Sequence, residues 1–317
     1  MSDRRGISSS DSMKPKLVLI LGPTAVGKSD VALEVALQTA AEIVNADSQQ
    51  VYRHMNIGTW KPSQEARQKV PHHLIDIVEP DQEFNAAVFR EKALQAIQEI
   101  HGKEKNVIVC GGSGLYLKAL LQGIFVGPGR DEELRTRLER EAQDKGLASL
   151  YQRLKAIDSQ AALSIHPNDR QRIVRALEVF ALTGKKMSHW QSEHGFKETW
   201  CESLKIGLER ERQELYALIN RRCDEMFSLG LIDEVRRLVA DGYGFDLKPM
   251  QSIGYRHAGL CLSGEANLAE ALELMKRDTR HLAKRQLTWF RSDSEIQWFH
   301  PERDCHRIVA AAAAFFS

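Results

Sequence analysis

No Cys-x-x-Cys pair occurs in the sequence. The five cysteines, Cys110, Cys201, Cys223, Cys261 and Cys305, lie far apart. Reduced thiols in a cytoplasmic protein are therefore expected, and a zinc ribbon or a disulfide scaffold is excluded. Net charge is also nearly absent. Lys+Arg 44 against Asp+Glu 43 leaves +1, so no global field draws the chain to a polyanion or a membrane surface. A local basic stripe remains able to do so. Long apolar runs are missing too: Leu17–Leu21 and the Ala-rich stretch after Val309 are too short to span a bilayer. Residues 1–16 hold Arg4, Arg5 and several serines but no apolar segment, so a mobile tail through residue 15 is expected and no signal peptide. His72, His73, His189 and His194 lack metal spacing such as H-x-x-x-H and read as satisfied or solvated histidines. No internal repeat is found. What remains is ordinary globular composition, 27% charged and 43% hydrophobic over 317 residues, a length that suits about two structural units.

Lys16–Leu21 is a short continuous apolar run, the mark of a strand buried on both faces. It leads through Gly22–Ser29 into a helical pattern from Val31 to Ala41. Glu42–Ala46 reads as a second strand, 86–100 as an amphipathic helix and Asn106–Cys110 as a third strand. Strands alternating with helices predict a parallel sheet. From Asp131 to about Thr183 the strand signal fades into Leu, Arg, Glu and Ala. Gly127-Pro-Gly129 marks the way in, and the polar stretch Ser188–Thr199 the way out. Ser203–Leu208 then predicts a returning strand, followed by two or three helices to about Phe290 and a last strand at Ile296–Phe299. The expected fold is α/β: a P-loop parallel-sheet core, residues 16–124 and 200–317, with an inserted all-helical domain over 125–199.

Gly22-Pro23-Thr24-Ala25-Val26-Gly27-Lys28-Ser29 fits G-x-x-x-x-G-K-[ST] at every required position. Such a loop curls so that its N–H groups face phosphate oxygens, and the helix after it adds its positive end. Lys28 supplies a point charge, and the Ser29 hydroxyl can sit on Mg²⁺. A polyphosphate or diphosphate ligand follows. Asp47 ends the second strand about twenty residues later, at the carboxyl end, where open α/β folds bind ligands. There it serves as metal ligand, general base or N-cap of the next turn, and position alone does not separate these. Gly111-Gly112-Ser113 closes the third strand as a turn or as a ligand contact. His166–Arg175 carries three arginines against one aspartate, and Lys276–Arg291 six basic residues against one acid. Lys276, Arg280 and Lys284 share one helical face. That stripe suits a phosphate backbone, with aromatic residues for stacking, or it is a solvated face. Arg212 and Arg222 fall on a helix after the strand near 205, where an arginine turned to the phosphate site would neutralise a leaving diphosphate.

Taken in order, Gly22–Ser29, Asn45–Tyr52, Asn56–Pro62, Gly111–Tyr116, His166–Arg172, Gln251–Arg256 and Lys284–Arg291 resemble the tRNA dimethylallyltransferases, the bacterial isopentenyl-tRNA transferases. The resemblance runs from about residue 16 to 291. It implies transfer of a dimethylallyl group from dimethylallyl diphosphate to N6 of adenosine 37 of tRNA, with Mg²⁺. It implies Asp47 as general base, with Thr24, Lys28, Ser29 and Arg222 holding the diphosphate. It implies that Asp47, Ser48, Gln49, Gln50, Ser113, Arg135, Gln171, Arg172, Ile173, Val174, Arg175, Gln251, Ser252, Ile253, Gly254, Tyr255, Arg256, Lys284, Arg285, Gln286, Leu287, Thr288, Trp289, Phe290 and Arg291 meet tRNA, with the helical insertion gripping the anticodon stem-loop. A monomer away from membranes is expected. Ser113 stands where Thr is more usual, His54 and Trp60 where small residues are commoner, and Asn56 where Asp is. The zinc finger of the eukaryotic relatives has no counterpart, which points to a bacterial-type enzyme. The chemistry agrees with the resemblance. An exocyclic adenine amine is a weak nucleophile and needs a carboxylate and a neutralised leaving group. A flipped base is easiest to take from a single-stranded loop. A P-loop kinase, an adenylate prenyltransferase and a non-catalytic RNA-binding module are the competing readings.

Overall fold

The computed structural model describes residues 14–124, 127–194 and 200–317; residues 1–13 of the expected tail and the end of the polar exit stretch lie outside them. The chain forms two compact units, one from Met1–Leu121 with Thr199–Ser317 and the other from Gln122–Glu198.

The first unit is built on strands β1 (Lys16–Leu21), β2 (Ala41–Asn45), β3 (His72–His73), β4 (Asn106–Gly111), β5 (Glu202–Leu208) and β6 (Gln297–Phe299). All are parallel, in the order β3-β2-β4-β1-β5-β6. Leu17 to Leu21 are at most 3% exposed, as a central strand covered on both faces requires. From β1 the chain winds to one side through β2, β3 and β4, then returns to the other side with β5 and β6. The strand order thus reverses at β1, where open parallel sheets take their ligands.

Helices α1 (Lys28–Thr39), α2 (Gln64–Lys69), α3 (Ala86–His101) and α4 (Gly114–Gln122) connect the first half. In the second unit come α5 (Glu132–Asp144), α6 (Leu147–Ile157), α7 (Ser159–Ser164), α8 (Arg170–Thr183) and α9 (Met187–His194). Their shared core includes Leu138, Leu150, Leu154, Ile173, Val174 and Leu177. The polar exit stretch is thus helical as far as His194. The first unit continues with α10 (Arg212–Ser228), α11 (Leu231–Ala240), α12 (Tyr255–Ser263), α13 (Leu268–Phe290) and α14 (Cys305–Phe316). Four α-helices, with a 3₁₀ turn at Pro249–Gln251, therefore replace the two or three expected before Phe290. Gly230 and Gly242, both at positive φ, break what reads in sequence as longer segments. The apolar stretch after Val309 belongs to α14, which packs on α1 and β1. Among the described residues, no helix is long and apolar enough to cross a membrane.

Candidate active site

The site lies at the carboxyl ends of β1, β2 and β4. Gly22–Ser29 joins β1 to α1, whose N-cap Gly27 sits at φ 107° and offers no capping side chain. That conformation is strained for any residue with a Cβ, and it leaves the first N–H groups of α1 aimed at the loop. Ala25, at φ 65°, holds a second left-handed position in the same loop. Lys28 Nζ donates to the Pro23 carbonyl at 2.7 Å. Burial pushes this ammonium down to about 8; Asp47 works against that shift and Arg222 adds to it. The Ser29 hydroxyl is exposed at the rim.

Asp47 fulfils its capping role without using both oxygens. Oδ1 accepts the N–H groups of Gln49 and Gln50 at 2.8 and 3.3 Å. Oδ2 has no hydrogen-bond partner among the described residues. Ser113 Oγ accepts from Ser48 N–H at 3.1 Å, which ties the β4 turn to the segment after β2 and leaves the hydroxyl proton free to donate. Gln286 reaches in from α13: its Oε1 accepts Thr24 N–H at 2.8 Å and its Nε2 donates to the Gly112 carbonyl at 3.0 Å. Gln286 therefore braces the P-loop from within. Arg222, on α10, lies 4.9 Å from the centre of the Trp60 ring. Burial lowers its pKa from the ordinary arginine value. Among the described residues, no carboxylate lies within ion-pair distance of it.

Several residues expected at RNA are buried or paired within the protein. Gln50 is buried and donates to the Thr59 and Trp60 carbonyls, 3.1 Å each. Tyr255 is fully buried, with its hydroxyl 2.6 Å from Glu234. Phe290 is 3% exposed, and Ile173 and Val174 lie in the core of the helical unit. An apolar or aromatic residue at helical spacing turns inward, as these do. Arg256 pairs with Asp278. Arg135 makes a two-point contact with Glu178, at 2.8 and 3.0 Å, and Arg175 joins it at 2.6 Å. Burial alone would raise the pKa of Glu178, but the bonds from Arg135 and Arg175 more than offset that and take it down to about 2.

The basic stripe on α13 divides. Lys276 pairs with Asp224 and Arg280 bonds Asn220, so its first half ties α13 to α10. Lys284, Arg285, Thr288, Trp289 and Arg291 are exposed, Arg291 reaching Glu209 at 3.1 Å. Gln171, Arg172 and Gln251 are also exposed. Gly254 is buried, while Ser252, Ile253 and Leu287 are half-buried. Arg212 has its guanidinium over Tyr216 at 5.2 Å. There it lines a cleft of about 680 Å³ with Lys284, Thr288 and Arg303. Of the residues that depart from the family pattern, Asn56 Oδ1 accepts from Lys61 at 3.1 Å, as a carboxylate would, and His54 pairs with Glu79 at 3.2 Å.

Glu234 was invisible to sequence reasoning. It is 4% exposed and accepts the N–H groups of Asn56, Ile57 and Gly58 as well as the Tyr255 hydroxyl. A Cβ on Gly58 would lie 2.4 Å from the Tyr255 ring, so only glycine permits this approach. A lone Glu in an amphipathic helix reads as surface; no sequence signal marks it.

The sequence profile of the IPP transferase family matches residues 50–293. A tRNA dimethylallyltransferase 2 of Geotalea uraniireducens is 53% identical over 304 residues, 96% of this chain and 98% of that one. A tRNA dimethylallyltransferase of Geobacter metallireducens is 50% identical over 303 residues, with 96% and 98% covered. Among solved structures, the tRNA isopentenylpyrophosphate transferase of Bacillus halodurans has a TM-score of 0.71 at 39% identity, covering 95% of this chain and 97% of that one. A eukaryotic dimethylallyltransferase, caught in crystallographic snapshots acting on tRNA, has a TM-score of 0.76 at 26% identity, covering 95% of this chain and 79% of that one.

Proposed function

The chain belongs to the IPP transferase family, and from that premise we propose that it transfers a dimethylallyl group from dimethylallyl diphosphate to N6 of adenosine 37 in tRNA. The observation that carries this reading is that the phosphate loop Gly22–Ser29 and Asp47, its Oδ2 left unpaired, stand at the carboxyl ends of β1 and β2. A phosphate-binding loop facing a base of this kind suits displacement at carbon. The N6–C1 bond forms as the C1–O bond of the allylic diphosphate breaks. The amine proton passes to Asp47 Oδ2, and the electron pair leaves on the diphosphate. The N–H groups of Gly22–Ser29, Lys28 and Arg222 take up the charge that develops on the leaving oxygen, the position where preorganised donors act most strongly. Ser113 has a hydroxyl proton available for the incoming base.

Mg²⁺ fits this site in a limited way. Among the described residues, no group of three His, Cys, Asp or Glu side chains could hold a metal. With Asp47 Oδ2 kept as the base, the Ser29 hydroxyl offers a single protein ligand. That suits Mg²⁺, which keeps most of its waters and binds chiefly through substrate phosphates. When bound with the diphosphate it would lower the charge of the leaving group.

For RNA, the exposed Lys284, Arg285 and Arg291 supply phosphate contacts. In the helical unit, exposed Gln171 and Arg172 serve the anticodon stem-loop. Arg135 and Arg175 shape that unit through Glu178 rather than presenting free charges.

The test is transfer of label from radiolabelled dimethylallyl diphosphate to unmodified tRNA, with AMP and ATP as competing acceptors. Label in tRNA at an adenosine beside the anticodon is the expected result. Label in AMP alone would remove the RNA partner. ATP hydrolysis without transfer would favour a kinase and overturn the reading.

A further inference from the structure

Trp60 has a left-handed backbone, φ 52°, which a bulky aromatic residue keeps only where its surroundings impose it. Here they do so from both sides. Glu234 grips the N–H groups of Asn56, Ile57 and Gly58. Gln50 holds the Thr59 and Trp60 carbonyls. Just beyond, Lys61 is 3% exposed and donates to the Tyr52 carbonyl and to Asp76, each at 2.5 Å. These clamps fix the indole beneath the Arg222 guanidinium.

We propose that Trp60 is a positioning residue for Arg222, holding its guanidinium ready for the diphosphate before that ligand arrives. The physical reason lies in how the two groups meet. A carboxylate partner would fix an arginine by neutralising it and by occupying the N–H edge that an anion needs. A ring face holds the planar cation through its π-surface and leaves those edge donors open. Trp60 thus restrains the arginine without lowering its charge, and burial strengthens both the ring contact and the pull on a phosphate. Without the ring, a long side chain would have to be ordered at the moment of binding, at the expense of affinity.

The inference rests on the diphosphate reading of the P-loop, and one set of titrations separates the two. Calorimetry with inorganic diphosphate and with dimethylallyl diphosphate, each with Mg²⁺, is run on the wild type, Trp60→Ala, Trp60→Phe, Arg222→Ala and the double variant Trp60→Ala/Arg222→Ala. Trp60→Ala is expected to weaken both ligands by a similar factor, roughly 5- to 30-fold, the range of a desolvated cation–π contact. Trp60→Phe should recover most of that loss. In the Arg222→Ala background, Trp60→Ala should change nothing further. Steady-state kinetics should place the defect in KM for dimethylallyl diphosphate more than in kcat. A loss confined to dimethylallyl diphosphate would make Trp60 a wall of the hydrocarbon pocket and overturn the proposal. An undiminished loss in the Arg222→Ala background would overturn it equally. A wild type that binds neither ligand refutes the diphosphate reading, and the role of Trp60 falls with it.

Discussion

Lys28 gives the sharpest test of the phosphate site. Its ammonium is pushed down to about 8 by burial, so in the free protein it loses its charge as pH rises through that value. A bound diphosphate brings negative charge to the ammonium and restores an ordinary lysine value. The bound form therefore carries more protons than the free form above pH 8, and affinity must fall as pH rises. With a pKa of about 8, roughly 90% of Lys28 is charged at pH 7 and roughly 10% at pH 9. If only the charged form binds, affinity for dimethylallyl diphosphate drops about tenfold over that interval, or about 1.4 kcal/mol. The ligand adds little of its own there, because phosphate groups complete their ionisation near pH 6. Calorimetry at fixed Mg²⁺, in buffers of differing ionisation enthalpy, reads both quantities. Proton uptake should climb from roughly 0.1 per ligand at pH 7 to roughly 0.9 at pH 9. Lys28→Arg keeps its charge throughout, so its profile should be flat, whatever its absolute affinity. A wild-type affinity that is level between pH 7 and 9, with no proton uptake, would refute the placement of Lys28 against the phosphates.

Asp47→Asn retains the oxygen that caps Gln49 and Gln50 but no longer accepts a proton; kcat should fall on the order of 10²–10⁴-fold with little change in diphosphate affinity. An equal loss of binding and rate would make Asp47 a ligand rather than a base. Glu178 is held down to about 2 in the folded protein, below its ordinary unfolded value, so its contribution is complete above about pH 5 and is lost as pH falls toward 2. Amide exchange in α5 and α8 of the full chain should accelerate across that window. In Glu178→Leu the acid dependence should shrink, while exchange is faster at every pH because Arg135 and Arg175 lose their partner. Lys284→Ala with Arg285→Ala should weaken tRNA binding and reduce its salt slope by about 0.7–0.9 per lost phosphate contact; an unchanged slope would make the stripe a solvated face.

What was legible in the sequence was local. The P-loop, Asp47 at the end of β2 and the turn at Gly111–Ser113 announce themselves because each function sits within a few residues of a strand end. Long-range pairing was not legible. Nothing in the order of residues says that Glu234 closes on Asn56, 178 positions away, or that the stripe on α13 spends Lys276 and Arg280 on α10. Arginine is the most ambiguous of all. Nothing in the sequence says that Glu178 lies between Arg135 and Arg175, or that Tyr216 lies beneath Arg212. Burial cannot be assigned from side-chain type when one helix face serves the core and the next the ligand, and nothing in the sequence says that Tyr255 and Phe290 are buried.

The strand order also has a consequence for how the protein is made. β1 occupies the middle of the sheet, yet its neighbour β5 is paired through Lys16 with Glu202, on the far side of the whole helical unit. At ribosomal speeds of about 5–20 residues per second, the better part of two hundred residues separate the two by roughly 10–40 s. Throughout that interval the β5-facing edge of β1 is bare and apolar, an open invitation to a strand from another chain. The helical unit, whose core is contained within Gln122–Glu198, is complete before the strand that closes the sheet emerges. The nascent polypeptide must therefore keep its phosphate-binding half unfinished, and shielded, until its last third is delivered.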